Sequence, residues 1–324
     1  MPRIAVLIPC YNEEKTIAKV VEDFKKELPK AEIYVYDNNS KDRTAEIASR
    51  HGAIVQKEFR QGKGNVVRSM FRSIDADVYV MVDGDDTYPA EFVHSLMQPI
   101  LDGQADMVIG DRHSNGTYAS ENKRPFHNFG NHLVKDLINR MFNADLRDIM
   151  TGYRAFNRYF VKSMPIMSEG FEIETEMSLH ALDKRFLLKE IPISYRDRPA
   201  GSVSKLNTVE DGIKVLRTIF LIFKDYKPLE FFSVIALLGF VMGLAAGLPV
   251  VAEYVETRYV AKVPSAILAV GFMVISMLAL TCGLILHSIV KYQRRSYELL
   301  LNEYCEQNHE LTSECSDRCR KMKG

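Results

Sequence analysis

Tryptophan is missing from this 324-residue chain, and cysteine is scarce: Cys10, Cys282, Cys305, Cys315 and Cys319 are scattered without the spacing of a disulfide framework. A secreted, disulfide-stapled fold is thereby excluded. No cleavable leader pattern precedes the first apolar run, so the N-terminal part reads as a reduced, cytosolic domain. Net charge is absent too. Lys+Arg and Asp+Glu both number 42, which removes the basic field of a nucleic-acid binder and the acidic excess of a disordered chain. Two phosphate-holding motifs are also lacking. No GxGxxG follows the first strand-like run, against a dinucleotide fold, and no GxxxxGK[ST] occurs, against a P-loop. A chain that handles phosphates without these needs another source of positive charge. A divalent cation is the expected one, because Mg²⁺ typically takes one or two carboxylates and completes its shell with substrate phosphates.

What the chain does have is an uneven distribution of apolar residues. Residues 231–252 carry no charge, and 263–290 have no Asp, Glu, Lys or Arg, with His287 and Cys282 as their titratable groups. Each run is long enough to cross a hydrocarbon core of about 30 Å at about 1.5 Å per residue. Lys224 and Lys227 precede the first run, whereas Lys291, Arg294 and Arg295 follow the second. The positive-inside bias then puts both flanking segments in the cytoplasm. Residues 209–226 space Ile213, Leu216, Phe220 and Phe223 along one stripe, the pattern of an interfacial helix. Cys305, His309, Cys315 and Cys319 in the tail match no strong zinc spacing, so no zinc site is expected there.

Before the first span, short Val- and Ile-rich runs at 3–9, 32–37, 53–56, 78–83 and 106–110 read as buried strands. Helical stretches such as 13–28 and 41–52 alternate with them. That alternation predicts an α/β fold, a mostly parallel sheet covered on both faces, with ligands outside the carboxyl ends of the strands. Three polar clusters fall at those ends: PCYNEE (9–14), DNNSKDRT (37–44) and DGDDTYP (83–89). One cleft along one sheet edge is the economical explanation. Asp83 and Asp85, separated by the permissive Gly84, offer two hard oxygen ligands on a tight bend; an Asx turn is the structural alternative. Asp86 is the alternative ligand, or a helix cap.

In order and spacing, IPCYNEEKTI, VYDNNSKDRT, GKGN (62–65), MVDGDDTYP, GDR (110–112), DIMTGYRAF (148–156) and YRDRPAGSVSKL (195–206) resemble the inverting family 2 glycosyltransferases of GT-A fold. Within them the chain is similar to the polyprenyl-phosphate glycosyltransferase group, which includes dolichol-phosphate mannose synthase and bacterial undecaprenyl-phosphate glucosyltransferases. The resemblance covers about residues 3–225. It implies donor contacts from Pro9, Tyr11, Glu13, Asp37 and Lys63, and a Mg²⁺ or Mn²⁺ ion on Asp83 and Asp85. It also implies an acceptor-phosphate contact from Arg112, and an active-site role for Asp148 as base or as orienting group. Arg198 and Lys205, with Arg196 and Ser202 in the same basic loop, match the segment that closes on the donor diphosphate. Lys123 and Arg124 depart from the mannose synthase pattern. Glu172, Glu174 and Glu176 form an acidic run that offers either a further site residue or a solvated helix start.

The reading is a GT-A domain over 1–208, an interfacial helix over 209–228, a two-helix transmembrane hairpin within 229–291 and a cytoplasmic tail over 292–324. The expected activity is transfer of glucose or an N-acetylhexosamine from a UDP-sugar to undecaprenyl phosphate with inversion, at the cytoplasmic face of a bacterial inner membrane. Nucleotide-sugar donor, polyprenyl-phosphate lipid and membrane are the expected partners, and the resemblance leaves room for a homo-oligomer. Rival readings are a GDP-mannose-using mannosyltransferase, an inactive scaffold and a nucleotidyltransferase. A processive polysaccharide synthase needs a QxxRW motif, which a chain without tryptophan cannot carry.

Overall fold

The chain divides into two compact units, residues 1–211 with 309–324 and residues 212–308. The computed structural model describes residues 2–114, 125–170, 172–196 and 219–307. In the first unit the five expected runs become strands β1 (Ile4–Cys10), β2 (Glu32–Asp37), β3 (Ile54–Lys57), β4 (Val78–Met81) and β5 (Met107–Asp111). Two further strands join them, β6 (Arg154–Asn157) and β7 (Leu188–Pro192). The sheet runs β3-β2-β1-β4-β6-β5-β7. Only β6 is antiparallel to its neighbours. Because β1 has β2 on one side and β4 on the other, the connections diverge there and open a crevice at the carboxyl edge.

The expected helices are present but shorter. Glu13 carbonyl oxygen accepts from the amides of Thr16 and Ile17, so a turn precedes α1 (Ile17–Glu27), and the second stretch narrows to α2 (Thr44–Arg50). Ile17, Val20, Val21 and Phe24 recur at helical spacing and are buried. With α4 (Val93–Leu101) they cover Val6, Ile8, Val80 and Val108 on one face of the sheet. On the other face α3 (Lys63–Ser73) and α6 (Arg158–Ser163) bring Phe71 edge-on to Phe156 and stack Phe160 on it at 5.3 Å. Between them in sequence lies α5 (Pro125–Phe142), and α7 (Ile173–Asp183) follows.

Tyr153, wholly buried against Phe24 and Tyr88, carries a hydroxyl with no hydrogen-bond partner. An orphaned buried hydroxyl costs about 1–3 kcal/mol. Tyr153→Phe is therefore expected to stabilise the first unit by about 1 kcal/mol, read as a rise in the denaturation midpoint.

In the second unit residues 219–226 are helical and pack Phe220 and Phe223 on Phe231. They lead into α8 (Pro228–Thr257) and α9 (Val263–Gln307), both long and apolar enough to cross a membrane. Gly239, Gly243 and Gly247 allow α8 to lie directly on Ser276, Met273 and Ala269 of α9, the close approach small residues permit. Ser276 adds a hydrogen bond to the Ala236 carbonyl at 2.6 Å. The second helix does not stop near 291: it runs unbroken past Arg294 and Arg295 to Gln307. Residues 209–218 of the expected interfacial helix, and 308–324 of the tail, lie outside the described residues.

Candidate active site

The carboxyl edge of the sheet gathers more of the chain than the five parallel strands alone would bring. Since β6 is antiparallel and pairs Arg154 with Met81, the DIMTG segment before it arrives beside the residues that leave β4. Strand β7 runs parallel to β5, with Pro192 opposite Asp111, so residues 193–196 leave at the same edge. The three polar clusters expected at strand ends are thus joined there by the segments after β5, before β6 and after β7.

On the β1–β2 side, two loops are laced by backbone amides. Asn12 donates to Ser40 Oγ at 2.9 Å, Glu13 to Thr44 Oγ1 at 2.8 Å, and Lys41 to Asn12 Oδ1 at 2.7 Å. Asn12 and Asn39 take left-handed backbone, φ 56° and 62°, which asparagine tolerates better than most residues. Pro9 sits at the end of β1 opposite Tyr36, and Tyr11 and Glu13 are part-buried on the loop beyond it. Asp37 is 5% exposed; its Oδ2 accepts the Ser40 amide at 3.3 Å, whereas Oδ1 is buried with no partner. A buried carboxylate oxygen without a donor is costly, and a ligand hydroxyl or N–H would satisfy it.

Asp83 follows β4 and forms an ion pair through Oδ1 with the Lys63 ammonium, which also contacts Glu174 at 2.5 Å. Burial opposes the charge on Lys63, yet the two carboxylates outweigh it and hold its pKa above the ordinary value. The GKGN glycines explain how Lys63 reaches this place. A Cβ on Gly62 or Gly64 would lie 2.1 Å from the Glu169 carbonyl or 2.2 Å from that of Ser168, so only glycine lets the 168–170 backbone close on the start of α3. Asp85 is buried, its Oδ1 accepting from Thr87 Oγ1 at 2.6 Å. Asp86, the alternative ligand, is instead paired with Lys19 at 2.5 Å.

The donor set suits a hard divalent cation. Among the described residues Asp83 Oδ2 takes no hydrogen bond, and Asp85 adds a second carboxylate two residues on. No cluster of three His, Cys, Asp or Glu forms among the described residues, as expected where substrate phosphates complete the shell. Cys10, beneath Gly84, is no competing nucleophile: burial, then the nearby carboxylates, push its thiol pKa well up. A Cβ added to Gly152 would stand 2.5 Å from Asp83 Oδ2. Gly152→Ala is therefore expected to displace that carboxylate and lower kcat at least about tenfold while the protein still unfolds cooperatively, since misplacement by about 1 Å can cost 10²-fold.

Arg112 and Asp148 form a buried, bidentate pair. Arg112 Nε donates to Oδ2 at 2.6 Å and Nη2 to Oδ1 at 2.9 Å, with the Arg112 amide also on Oδ2. Burial pushes the Asp148 pKa up, but the guanidinium outweighs it and holds the carboxyl below its usual range. Both oxygens are thus committed, which disfavours a base and favours an anchor. Arg154 is wholly buried and donates to the Thr151 and Ile149 carbonyls and to Ser178 Oγ, with its pKa lowered to about 10 by burial. Glu190 of β7 accepts the amides of Arg147 and Asp148 at 2.8 and 2.9 Å, holding the loop from outside.

From the acidic run, the structure brings Glu174 to the site, whereas Glu176 accepts the amides of Met167 and Ser168. Arg196 donates its amide to the Thr87 carbonyl at 3.0 Å. Lys123, Arg124, Arg198, Ser202 and Lys205 lie outside the described residues. Tyr88 was not expected in the site at all; an aromatic before Pro89 carries no signal in the sequence of the hydrogen bonds its hydroxyl makes.

The profile of the family described as glycosyl transferase family 2 matches residues 5–164. Glycosyltransferase AglJ of Haloferax volcanii is 33% identical over 253 residues, which cover 78% of this chain and 82% of that protein. A dolichyl-phosphate hexose transferase of the same organism is 32% identical over 217 residues, covering 67% of this chain and 92% of that protein. Among solved structures, glucosyl-3-phosphoglycerate synthase from Mycobacterium tuberculosis with Mn²⁺, UDP-glucose and glycerol 3-phosphate has a TM-score of 0.54 at 21% identity, over 69% of this chain and 79% of that one. That likeness is one of fold.

Proposed function

The chain belongs to glycosyltransferase family 2, and from that premise we propose that it transfers a hexose or N-acetylhexosamine from a nucleotide sugar, UDP-linked by preference, to a polyprenyl phosphate of the undecaprenyl type. The observation that carries the reading is the meeting at one sheet edge of the Asp83–Asp85 pair with the Arg112–Asp148 pair. One suits the diphosphate of a donor and the other lies beside the loops expected at an acceptor phosphate. The dolichyl-phosphate acceptor in the name of one relative, and two helices apolar enough to span a bilayer, support a lipid acceptor. Lys and Arg at both flanks of the helix pair support a cytoplasmic catalytic unit on a bacterial inner membrane.

In this reading Asp37 takes up a hydroxyl or N–H of the nucleoside through its unpartnered Oδ1, with Pro9, Tyr11 and Glu13 lining the same loop. Asp83 and Asp85 would hold a Mg²⁺ or Mn²⁺ ion, which when bound offsets the charge of the diphosphate. Lys63 keeps Asp83 in place, and Arg198 and Lys205 would add positive charge toward the leaving group. A phosphate oxygen of the acceptor attacks the anomeric carbon as the bond to the diphosphate oxygen breaks. The nucleoside diphosphate leaves with that electron pair and the configuration inverts. A phosphate monoester has its second pKa near about 6, so a dianionic acceptor needs no base, in keeping with an Asp148 whose oxygens are both held by Arg112. Arg112 and Asp148 orient the acceptor.

The test incubates the purified full-length chain with undecaprenyl phosphate, Mg²⁺ or Mn²⁺ and a panel of UDP- and GDP-sugars. A lipid-linked monosaccharide from one or more UDP-sugars is expected. Product from GDP-mannose alone replaces the UDP preference, and no product with any donor turns the reading toward a scaffold.

A further inference from the structure

The two carboxylate-centred halves of the site are joined through one hydroxyl. Tyr88 is 5% exposed, and its ring is fixed between Tyr153 and Tyr195 at centroid distances of 5.6 and 5.7 Å. Its hydroxyl lies 3.1 Å from the Gly152 amide, 3.4 Å from Thr151 Oγ1 and 3.5 Å from Arg112 Nη1. A phenol has one proton to give and lone pairs to receive. Gly152 N–H and Arg112 Nη1 are donors only and Thr151 Oγ1 donates as well, so the Tyr88 oxygen, with its own proton retained, is the acceptor they share. Burial keeps that proton on by raising the phenol pKa.

Each of these partners bears on a different half. Gly152 backs directly on Asp83, where even a methyl group would meet Oδ2. The Nε and Nη2 donors of Arg112 belong to Asp148, and its Nη1 contacts Tyr88. We propose that Tyr88 is a positioning residue that couples the donor and acceptor halves, one hydroxyl setting the Gly152 amide behind Asp83 and the guanidinium beside Asp148 together. The inference rests on the glycosyl-transfer reading for the acceptor half; the Asp83 half stands on cation binding alone.

Tyr88→Phe keeps the ring packing and removes the hydroxyl. Two measurements on the full chain in detergent micelles test it: Mn²⁺ titration followed by electron paramagnetic resonance of the free ion, with no substrate present, and the KM for polyprenyl phosphate. Both constants are expected to worsen together by about tenfold, the factor for one lost buried hydrogen bond, while Tyr153→Phe leaves both unchanged. Thr151→Val, which takes away the hydroxyl that donates to Tyr88 and accepts the Tyr153 amide, shifts both in the same direction by a smaller factor and serves if Tyr88→Phe does not fold. A purely structural role lowers the yield of folded protein without moving either constant, and that result overturns the proposal. A shift in one constant without the other overturns the coupling. Failure of the wild type to transfer any sugar contradicts the reaction reading, whereas the Mn²⁺ titration still decides whether Tyr88 sets Asp83.

Discussion

Asp85→Asn is expected to remove turnover, by at least about 10²–10³-fold in kcat, the scale for loss of one electrostatic contact to developing charge. The fold is expected to persist. Asparagine has the shape of aspartate, and its amide oxygen still accepts from Thr87 Oγ1, the bond that ties Asp85 into its loop. What disappears is the negative charge beside Asp83. The measurement is steady-state kinetics beside a thermal melt of the same preparation. Near-normal kcat in a folded variant would refute the assignment of Asp83 and Asp85 as the cation-binding pair.

Asp148→Asn is expected to behave differently, with stability falling together with activity. The substitution leaves the Arg112 guanidinium buried without a counter-charge, and breaking a buried pair from one side typically costs about 3–5 kcal/mol. For a unit of this size the midpoint is expected to drop by about 6–20 °C. Replacing Arg112 by Met in the same protein should restore much of that loss, because the two changes share one interaction and are not additive. A general base would give another pattern, activity lost at unchanged stability. The pH dependence has a matching sign. The folded pKa of Asp148 lies below its unfolded value, so its contribution is complete above about pH 4 and is lost as pH falls through the folded value.

Much of the fold was legible because β1, β4 and β5, and most of β2, are buried and read as continuous apolar runs, whereas the exposed edge strand β3 showed only as a short run with Ile and Val. Strands β6 and β7 were not, for identifiable reasons. RAFN is four residues long and opens on an arginine whose charge is satisfied by carbonyls from Ile149 and Thr151, contacts that exist only after folding. LKEIP carries Glu190, which faces the Arg147–Asp148 backbone instead of solvent. Missing β6 also hid the reason DIMTG belongs to the site, since it is the reversed strand that returns Gly152 to Asp83.

The site itself was legible where its residues sit at strand ends. The placement of Asp37, Asp83 and Asp85 needed only the rule that ligands gather at the carboxyl edge, whereas the donor role of Asp37 came from the family resemblance. Lys63, Glu174 and Tyr88 depend on contacts across about 20 to 110 positions of sequence, which no local spacing records. Lys63 was expected from the family resemblance alone; the use of its flanking glycines becomes visible once the 168–170 backbone is seen against them. The opposed pairs Arg112–Asp148 and Lys63–Asp83 also show why a reading by residue type alone overstates free charge: each cation there has an anion in contact with it.

The most direct test of the central claim is the stoichiometry of the products in a single reaction with undecaprenyl phosphate and a radiolabelled UDP-sugar. The account predicts one nucleoside diphosphate released per sugar transferred, and a lipid whose mass is that of the acceptor plus one anhydro-sugar with a single phosphate. Release of the nucleoside monophosphate with a lipid diphosphate product, or of pyrophosphate, would contradict it.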